Sequence, residues 1–225
     1  MKNHIIIFDL DGTLIDSAPD VCGALNRTLA KIGRRAHSVD EAKTYLGHGA
    51  PTLMEKALKA TGDILSPEAT ADLTNQFLTD YADNPVIDTV VFPGVFKALD
   101  TILSRGAKLA LCTNKPSITT APVLDILKLT PYFEARVCGD QASTKKPHGD
   151  HIHETIRSAG GDKNSRAIMI GDSENDIYAA VDAGVPSIAV TFGYALGAVH
   201  DLGADAMINH FDDLISTIET VMVNR

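Results

Sequence analysis

Residues 5–13, Ile5-Ile6-Ile7-Phe8-Asp9-Leu10-Asp11-Gly12-Thr13, constrain the fold more than any other stretch of the chain. Four consecutive apolar residues, three of them β-branched, read as a strand buried on both faces, as in the middle of a parallel sheet. The strand then runs into two carboxylates. Asp9 and Asp11 are two apart, so in extended backbone they point the same way, and Gly12 permits a sharp turn beyond them. Close carboxylates raise each other's proton affinity unless a cation lies between them. The pair therefore suits a divalent cation, or a division of labour in which one group attacks and the other carries a proton. An acidic loop after a strand is the plain alternative. Charges that end an otherwise dry strand are costly, however, unless something uses them.

The rest of the chain divides in two. An amphipathic helix is expected over 17–33, with Asp16 or Ser17 as its N-cap, Pro19 in its first turn and Val21, Leu25, Leu29 and Ile32 on one face. A second helix starts at Ser38, whose partner Glu41 completes a capping-box pattern, and ends near Leu46. Gly47-His48-Gly49-Ala50-Pro51 forms a joint before helices at about 51–60 and from Pro67 to about Asp83. No strand is expected between 16 and 84. Beyond Phe92-Pro93-Gly94 short apolar runs alternate with helices closed by glycine, which means a parallel sheet covered on both faces. The fold class is thus α/β, a three-layer Rossmann-like parallel sheet core made of 1–15 and 85–225, with a small helical domain at 16–84 inserted into it.

At 225 residues the chain can bury one substantial core or two smaller ones. Cys22, Cys112 and Cys138 are odd in number and widely spaced, which speaks against a disulfide framework and for a reducing cytoplasm. Cys112, in an apolar run, reads as a buried strand residue rather than a nucleophile. A net charge of -9 disfavours nucleic acid as a partner. No run reaches the length of a membrane span, and the N-terminal apolar run is too short for a secretion signal. The sequence leaves oligomeric state undefined.

In a parallel sheet, ligands sit outside the carboxyl ends of the strands. Four strands deliver polar groups there: Asp9 and Asp11; Thr113 and Asn114; Lys145 and Lys146 in a following loop; and Asp172 to Asp176. Singly, each has a dull reading as a helix N-cap, a solvated pair or an acidic helix start. Together they are the inventory for a phosphoryl group with its cation.

Asp-Leu-Asp-Gly-Thr at 9–13, Thr-Asn-Lys at 113–115, Lys146-Pro147 and Gly-Asp-Ser-Glu-Asn-Asp at 171–176 resemble the four ordered motifs of the haloacid dehalogenase superfamily. Within it the chain is most similar to bacterial-type phosphoglycolate phosphatases. The resemblance implies a Mg²⁺-dependent hydrolase of a small phosphorylated metabolite, most readily 2-phosphoglycolate. It implies that Asp9 is the nucleophile and that Asp11 protonates the leaving alkoxide, then activates water. Thr113 and the Asn114 backbone would hold phosphoryl oxygens, and Lys146 would neutralise charge. Asp9, the Asp11 carbonyl and Asp172 would bind the metal, with Asp176 in support. A sugar-phosphate phosphatase, a β-phosphoglucomutase-like transfer and a non-catalytic binding module remain the competing readings.

Gly149 departs from the family pattern, where many relatives carry a second proline. His148, His151 and His153 are expected to be solvated at a helix start. The resemblance implies that the inserted helices choose the substrate, and there His48, flanked by Gly47 and Gly49, is the candidate that reaches inward. Arg34, Arg35 and Lys43 are further carboxylate-binding candidates.

Overall fold

The protein was analysed as a computed structural model that describes residues 1, 4–162, 164–195 and 199–223. The chain enters as β1 (His4–Phe8) and forms a two-residue strand, β2 (Ile15–Asp16). Four helices follow, α1 (Ala18–Ala30), α2 (Val39–Lys43), α3 (Ala50–Thr61) and α4 (Pro67–Asp83), and the chain returns as β3 (Val90–Val91). Then come α5 (Val95–Ser104), β4 (Lys108–Thr113), α6 (Ser117–Ile126), β5 (Ala135–Cys138) and α7 (Asp150–Ser158). The chain closes with β6 (Arg166–Gly171), α8 (Glu174–Ala183), β7 (Ser187–Val190), β8 (Ala206–Ile208) and α9 (Leu214–Val223).

The main sheet has the order β5-β4-β1-β6-β7-β8, and every pairing in it is parallel. β1 lies inside it, hydrogen-bonded to β4 on one side and β6 on the other. Its alternation divides the core. Ile6 and Phe8 join the apolar cluster that contains side chains of α5, α6 and α9, while Ile5 and Ile7 join the one that contains Ile152 and Ile156 of α7 and Ala179 and Ala180 of α8. Each such large apolar side chain, fully buried, stabilises the fold by about 1.5–3 kcal/mol. This is why the N-terminal run is apolar at every position rather than at every second one.

The first, larger cluster continues without a break into the inserted helices through Leu25, Leu53, Met54, Phe77 and Tyr81. The insertion begins and ends at an antiparallel pair, Ile15 with Val91 and Asp16 with Val90, so the chain leaves and re-enters the core at one place. That pair was not expected from sequence, since two residues carry no readable period. A second clamp lies beside it. The Asp20 carboxylate, buried on α1, accepts from the backbone N–H groups of Ile87, Asp88 and Thr89 and from the Thr89 hydroxyl, at 2.6–3.1 Å.

Two helices are shorter than their apolar periods suggest. α1 ends at Ala30, and residues 31–33 form a turn in which Gly33 takes φ +69°. α2 ends at Lys43, although Ser38 and Glu41 form the expected capping box. Ser17 occupies the N-cap of α1 without a side-chain capping bond, and its hydroxyl donates to Asp11.

Candidate active site

Each strand of the sheet centre ends in groups that meet at one edge. β1 runs straight into Asp9, and the turn beyond it is closed by Gly12 at φ +83°, where a Cβ would lie 2.4 Å from Asp172 Oδ2. β6 ends at Gly171 and delivers Asp172. The Asp176 side chain folds back from the first turn of α8: its Oδ2 accepts from the N–H groups of Asp172 and Ser173 and from the Ser173 hydroxyl. Its Oδ1 accepts from Lys146 Nζ at 2.6 Å.

Asp9, Asp172 and Asp176 each place a carboxylate oxygen within 4.8 Å of the others, and all three residues are buried. Lys146 is buried among them. It donates to the Cys112 carbonyl at 2.7 Å and to Asp176, and lies 2.9 Å from Asp9 Oδ1 but off the hydrogen-bonding direction. Asp9 Oδ1 is therefore buried without a hydrogen-bond donor among the described residues.

The electrostatics follow from this crowding. Burial, opposed by Lys146 and reinforced by Asp176, pushes the Asp9 carboxyl up to about 6. Burial, with Asp176 and Asp9 adding to it, holds the Asp172 carboxyl well above the ordinary range. Burial alone would lower the Lys146 ammonium, but Asp176 and Asp9 override it and hold the charge firmly on. Three buried carboxylates facing one ammonium leave a surplus of negative charge. A hard dication with oxygen ligands suits that deficit. The arrangement fits Mg²⁺, with Asp9 and Asp172 as ligands and Asp176 committed to Lys146 and the backbone.

The Asp11 carboxylate points elsewhere. It accepts from Lys115 Nζ at 2.9 and 3.2 Å and from the Ser17 hydroxyl. Lys115 also donates to the Tyr81 hydroxyl of α4 at 2.9 Å. Neither Lys115 nor Tyr81 was singled out from the sequence. The lysine stood inside the Thr-Asn-Lys motif, and a cation placed immediately beyond a strand end was the available signal.

Thr113 is 2% exposed at the end of β4, where its hydroxyl accepts from the Lys115 N–H at 3.2 Å and keeps its own proton to donate. The Asn114 side chain is committed to other work. Its amide donates to the carbonyls of Gly47 and Lys146, and its oxygen accepts from Lys146 N–H, so it ties the insertion and the lysine loop to β4.

His151 corrects the expectation of solvated histidines. It is fully buried, its Nε2 lies 3.1 Å from the Val137 carbonyl, and its Nδ1 accepts from Lys146 N–H. Burial, with Lys146 adding to it, lowers its imidazole to about 4, so it is a neutral brace for the lysine loop. Gly149 has a steric explanation. A Cβ there would meet the backbone nitrogen of Ala183 at 2.5 Å, and Gly149 N–H donates to Asp182. Cys112 is buried as expected, its thiol pushed up to about 12 chiefly by burial.

Above this edge lies a cleft of about 60 Å³. Its floor includes Asp9, Asp11, Thr113, Asn114, Lys115 and Asp172, and its roof Leu53, Phe77 and Tyr81. The loop bearing His48 is held at the rim. Asn175 reaches both the Gly47 carbonyl and His48 Nδ1 at 3.2 Å, and Gly47 and Gly49 line the cleft where His48 does not. Arg34 is spent on the Asp63 carbonyl and Arg35 on Glu41, and neither lines the cleft. Lys43 lies 5.7 Å above the Tyr194 ring. Tyr194 itself ties the pieces together, its N–H on Asp172 and its hydroxyl on Asp16 and the first N–H groups of the insertion.

Residues 6–190 match the model of the haloacid dehalogenase-like hydrolases. The chain belongs to that family. A phosphoglycolate phosphatase of Caulobacter vibrioides is 40% identical over 224 residues, which span 100% of this chain and 94% of that protein. One of Agrobacterium fabrum is 40% identical over 98% of this chain and 94% of its own. Among solved structures, a predicted phosphoglycolate phosphatase from Haemophilus somnus superposes with a TM-score of 0.89 at 27% identity, covering 95% of this chain and 97% of that one. The chain is thus a Mg²⁺-dependent phosphatase of the family, acting on a small phosphorylated metabolite.

Proposed function

We propose that the substrate is 2-phosphoglycolate, released as glycolate and inorganic phosphate, and that the helices of 16–84 act as a cap over a core formed by 1–15 and 85–225. The observation that carries the chemistry is the Asp9 carboxylate at the floor of the cleft, buried in a cluster of three carboxylates that face the ammonium of Lys146. The substrate assignment rests on end-to-end likeness to phosphoglycolate phosphatases and on the smallness of the cleft.

In the first step an Asp9 carboxylate oxygen attacks phosphorus while the bond from phosphorus to the glycolate oxygen breaks. The departing alkoxide takes a proton from Asp11. In the second step water attacks the phosphorus of the aspartyl-phosphate and gives a proton to Asp11, and the bond to Asp9 breaks to free phosphate and restore the carboxylate. Both steps balance, and Asp11 ends as it began. Thr113 offers its free hydroxyl proton and Asn114 its backbone N–H to the phosphoryl oxygens, while Lys146 orients Asp9. Mg²⁺ at the carboxylates supplies positive charge that keeps Asp9 ionised and offsets repulsion by the phosphoryl oxygens. The apolar roof excludes water during the first transfer. Three buried, unpaired cysteines suit a reducing cytoplasm.

The test is phosphate release across a panel of small phosphomonoesters with and without Mg²⁺. The expected result is Mg²⁺-dependent turnover with the highest kcat/KM for 2-phosphoglycolate. Faster turnover of hexose phosphates would overturn the substrate assignment, and conversion of a hexose 1-phosphate to its 6-phosphate without phosphate release would overturn hydrolysis.

A further inference from the structure

The phosphoryl group occupies one end of the cleft and leaves open what receives the rest of the substrate. We infer that Lys115, assisted by the Tyr81 hydroxyl, is the receptor for the substrate's free carboxylate. The inference rests on the 2-phosphoglycolate reading.

Among the described residues that line the cleft, Lys115 is the sole lysine or arginine. It is 7% exposed, and its Nζ lies against Asp11 and the Tyr81 hydroxyl. Lys146 lies behind Asp9 and is spent on Asp176 and the Cys112 carbonyl. An ammonium has three N–H donors. Here they face the two Asp11 oxygens at 2.9 and 3.2 Å and the Tyr81 hydroxyl at 2.9 Å, and the donor of the longer Asp11 contact is the one a substrate carboxylate would take over.

Position argues the same way. Asp11 must reach the ester oxygen to protonate it, and Lys115 Nζ is 2.9 Å from Asp11 Oδ1. In 2-phosphoglycolate the carboxylate oxygens lie three bonds from the ester oxygen, about the span of one charge-assisted hydrogen bond, ~2.8 Å. A cation beside the proton donor is therefore beside the carboxylate as well. Val21, Leu53 and Phe77 in the lining offer an anion nothing, and the other polar side chains there are uncharged or acidic, so without Lys115 a buried carboxylate would lack a cation. Lys115 belongs to the core and Tyr81 to α4, so the receptor is complete only when cap and core are together.

The experiment compares kcat/KM for 2-phosphoglycolate and for ethyl phosphate, which keeps the ester and lacks the carboxylate, in the Mg²⁺-loaded wild type, K115M, Y81F and K145M. The expected wild-type preference for 2-phosphoglycolate is at least about 10²-fold, since a site built to pair a polar group rejects the analogue without it. K115M should bring the ratio to within about tenfold of unity, Y81F should lower it less, and K145M should leave it unchanged. A wild type with no preference overturns the 2-phosphoglycolate reading and the inference with it. A wild-type preference kept by K115M, or lost in K145M instead, overturns the inference alone. Should K115M turn over neither ester, calorimetry on D9N and D9N/K115M decides. Equal loss of affinity for both esters overturns the inference, and selective loss for 2-phosphoglycolate upholds it.

Discussion

The sheet edge and the cap are built on opposite principles. At the edge the charged groups are packed against one another in the protein's interior: Asp176 accepts from four groups, and Lys146 sits against three acceptors. Apart from the buried Asp20 clamp, the cap's ion pairs are at its surface, as in Arg27–Asp80 and Arg35–Glu41, and it turns apolar side chains toward the cleft. Surface pairs of that kind contribute little to stability, whereas breaking a buried one is costly. The edge thus holds fixed charges for the chemistry, while in the proposed function the cap shapes volume and shuts out water.

If that contrast is right, the largest losses of activity come from single atoms at the edge. D9N should lower phosphate release by at least about 10⁴-fold, because the amide cannot act as the nucleophile, while circular dichroism stays that of the wild type. D11N should cost about 10²- to 10⁴-fold, the usual worth of a positioned acid and base. Near-normal turnover by either variant would dissolve the division of labour between the two carboxylates. A readout by burst kinetics separates them: D11N should still react with activated aryl phosphates, whose leaving groups need no proton, and D9N should not.

The next effect belongs to the crowded charges of the edge rather than to one side chain. The Asp9 carboxyl sits at about 6 against an ordinary 3.8, so between pH ~4 and ~6 the folded metal-free protein holds a proton that the unfolded chain has lost. Stability of the metal-free protein should therefore fall as pH rises through that window, with Asp172 acting in the same direction. Mg²⁺ needs the deprotonated carboxylate, so its affinity should weaken below pH 6 by up to about tenfold per pH unit. Thermal melts with titrated Mg²⁺ at pH 5.0 and pH 7.5 check this. Equal Mg²⁺ midpoints at the two pH values would show that the carboxylates are not the cation's ligands.

The same contrast explains what sequence reading could reach. Asp9, Asp11, Thr113 and Asp172 stand out because each lies at or just beyond the end of a short apolar run, and a parallel sheet sends such positions to one edge, while Lys146 and Asp176 stand out through the motifs in the loop and helix that follow. The triple isoleucine of β1 was legible for the same reason, since burial on both faces removes alternation. Lys115 escaped because its partners, Asp11 and Tyr81, are 104 and 34 residues away and on different layers. His151 was misjudged because three histidines at a helix start look solvated, and only packing of α7 against β5 buries the middle one. The strand pair of Ile15–Asp16 with Val90–Val91 was invisible because its register is set by the whole insertion between them.

The smallest expected effect is in the cap, and it discriminates between two ways a cap can select. His48 stands between glycines with φ of +92° and +88°, a setting that suggested a donor reaching toward substrate. Its recorded partner is instead Asn175, on the core, and the same Asn175 amide reaches the Gly47 carbonyl. The loop is therefore fastened to the rim through its backbone, by Asn175 and by Asn114 at 2.8 Å, and the imidazole adds one neutral hydrogen bond of about 1 kcal/mol. Replacing it by alanine should change kcat/KM for 2-phosphoglycolate by no more than about fivefold, a ~1 kcal/mol effect, without altering preference over ethyl phosphate. A loss of preference in H48A would move carboxylate selection from Lys115 at the edge to the cap loop, and the division between a charged floor and an apolar roof would fail at that point. If preference holds while turnover drops slightly, the loop acts by closing, and the charge that chooses the substrate belongs to the same sheet edge that performs the chemistry.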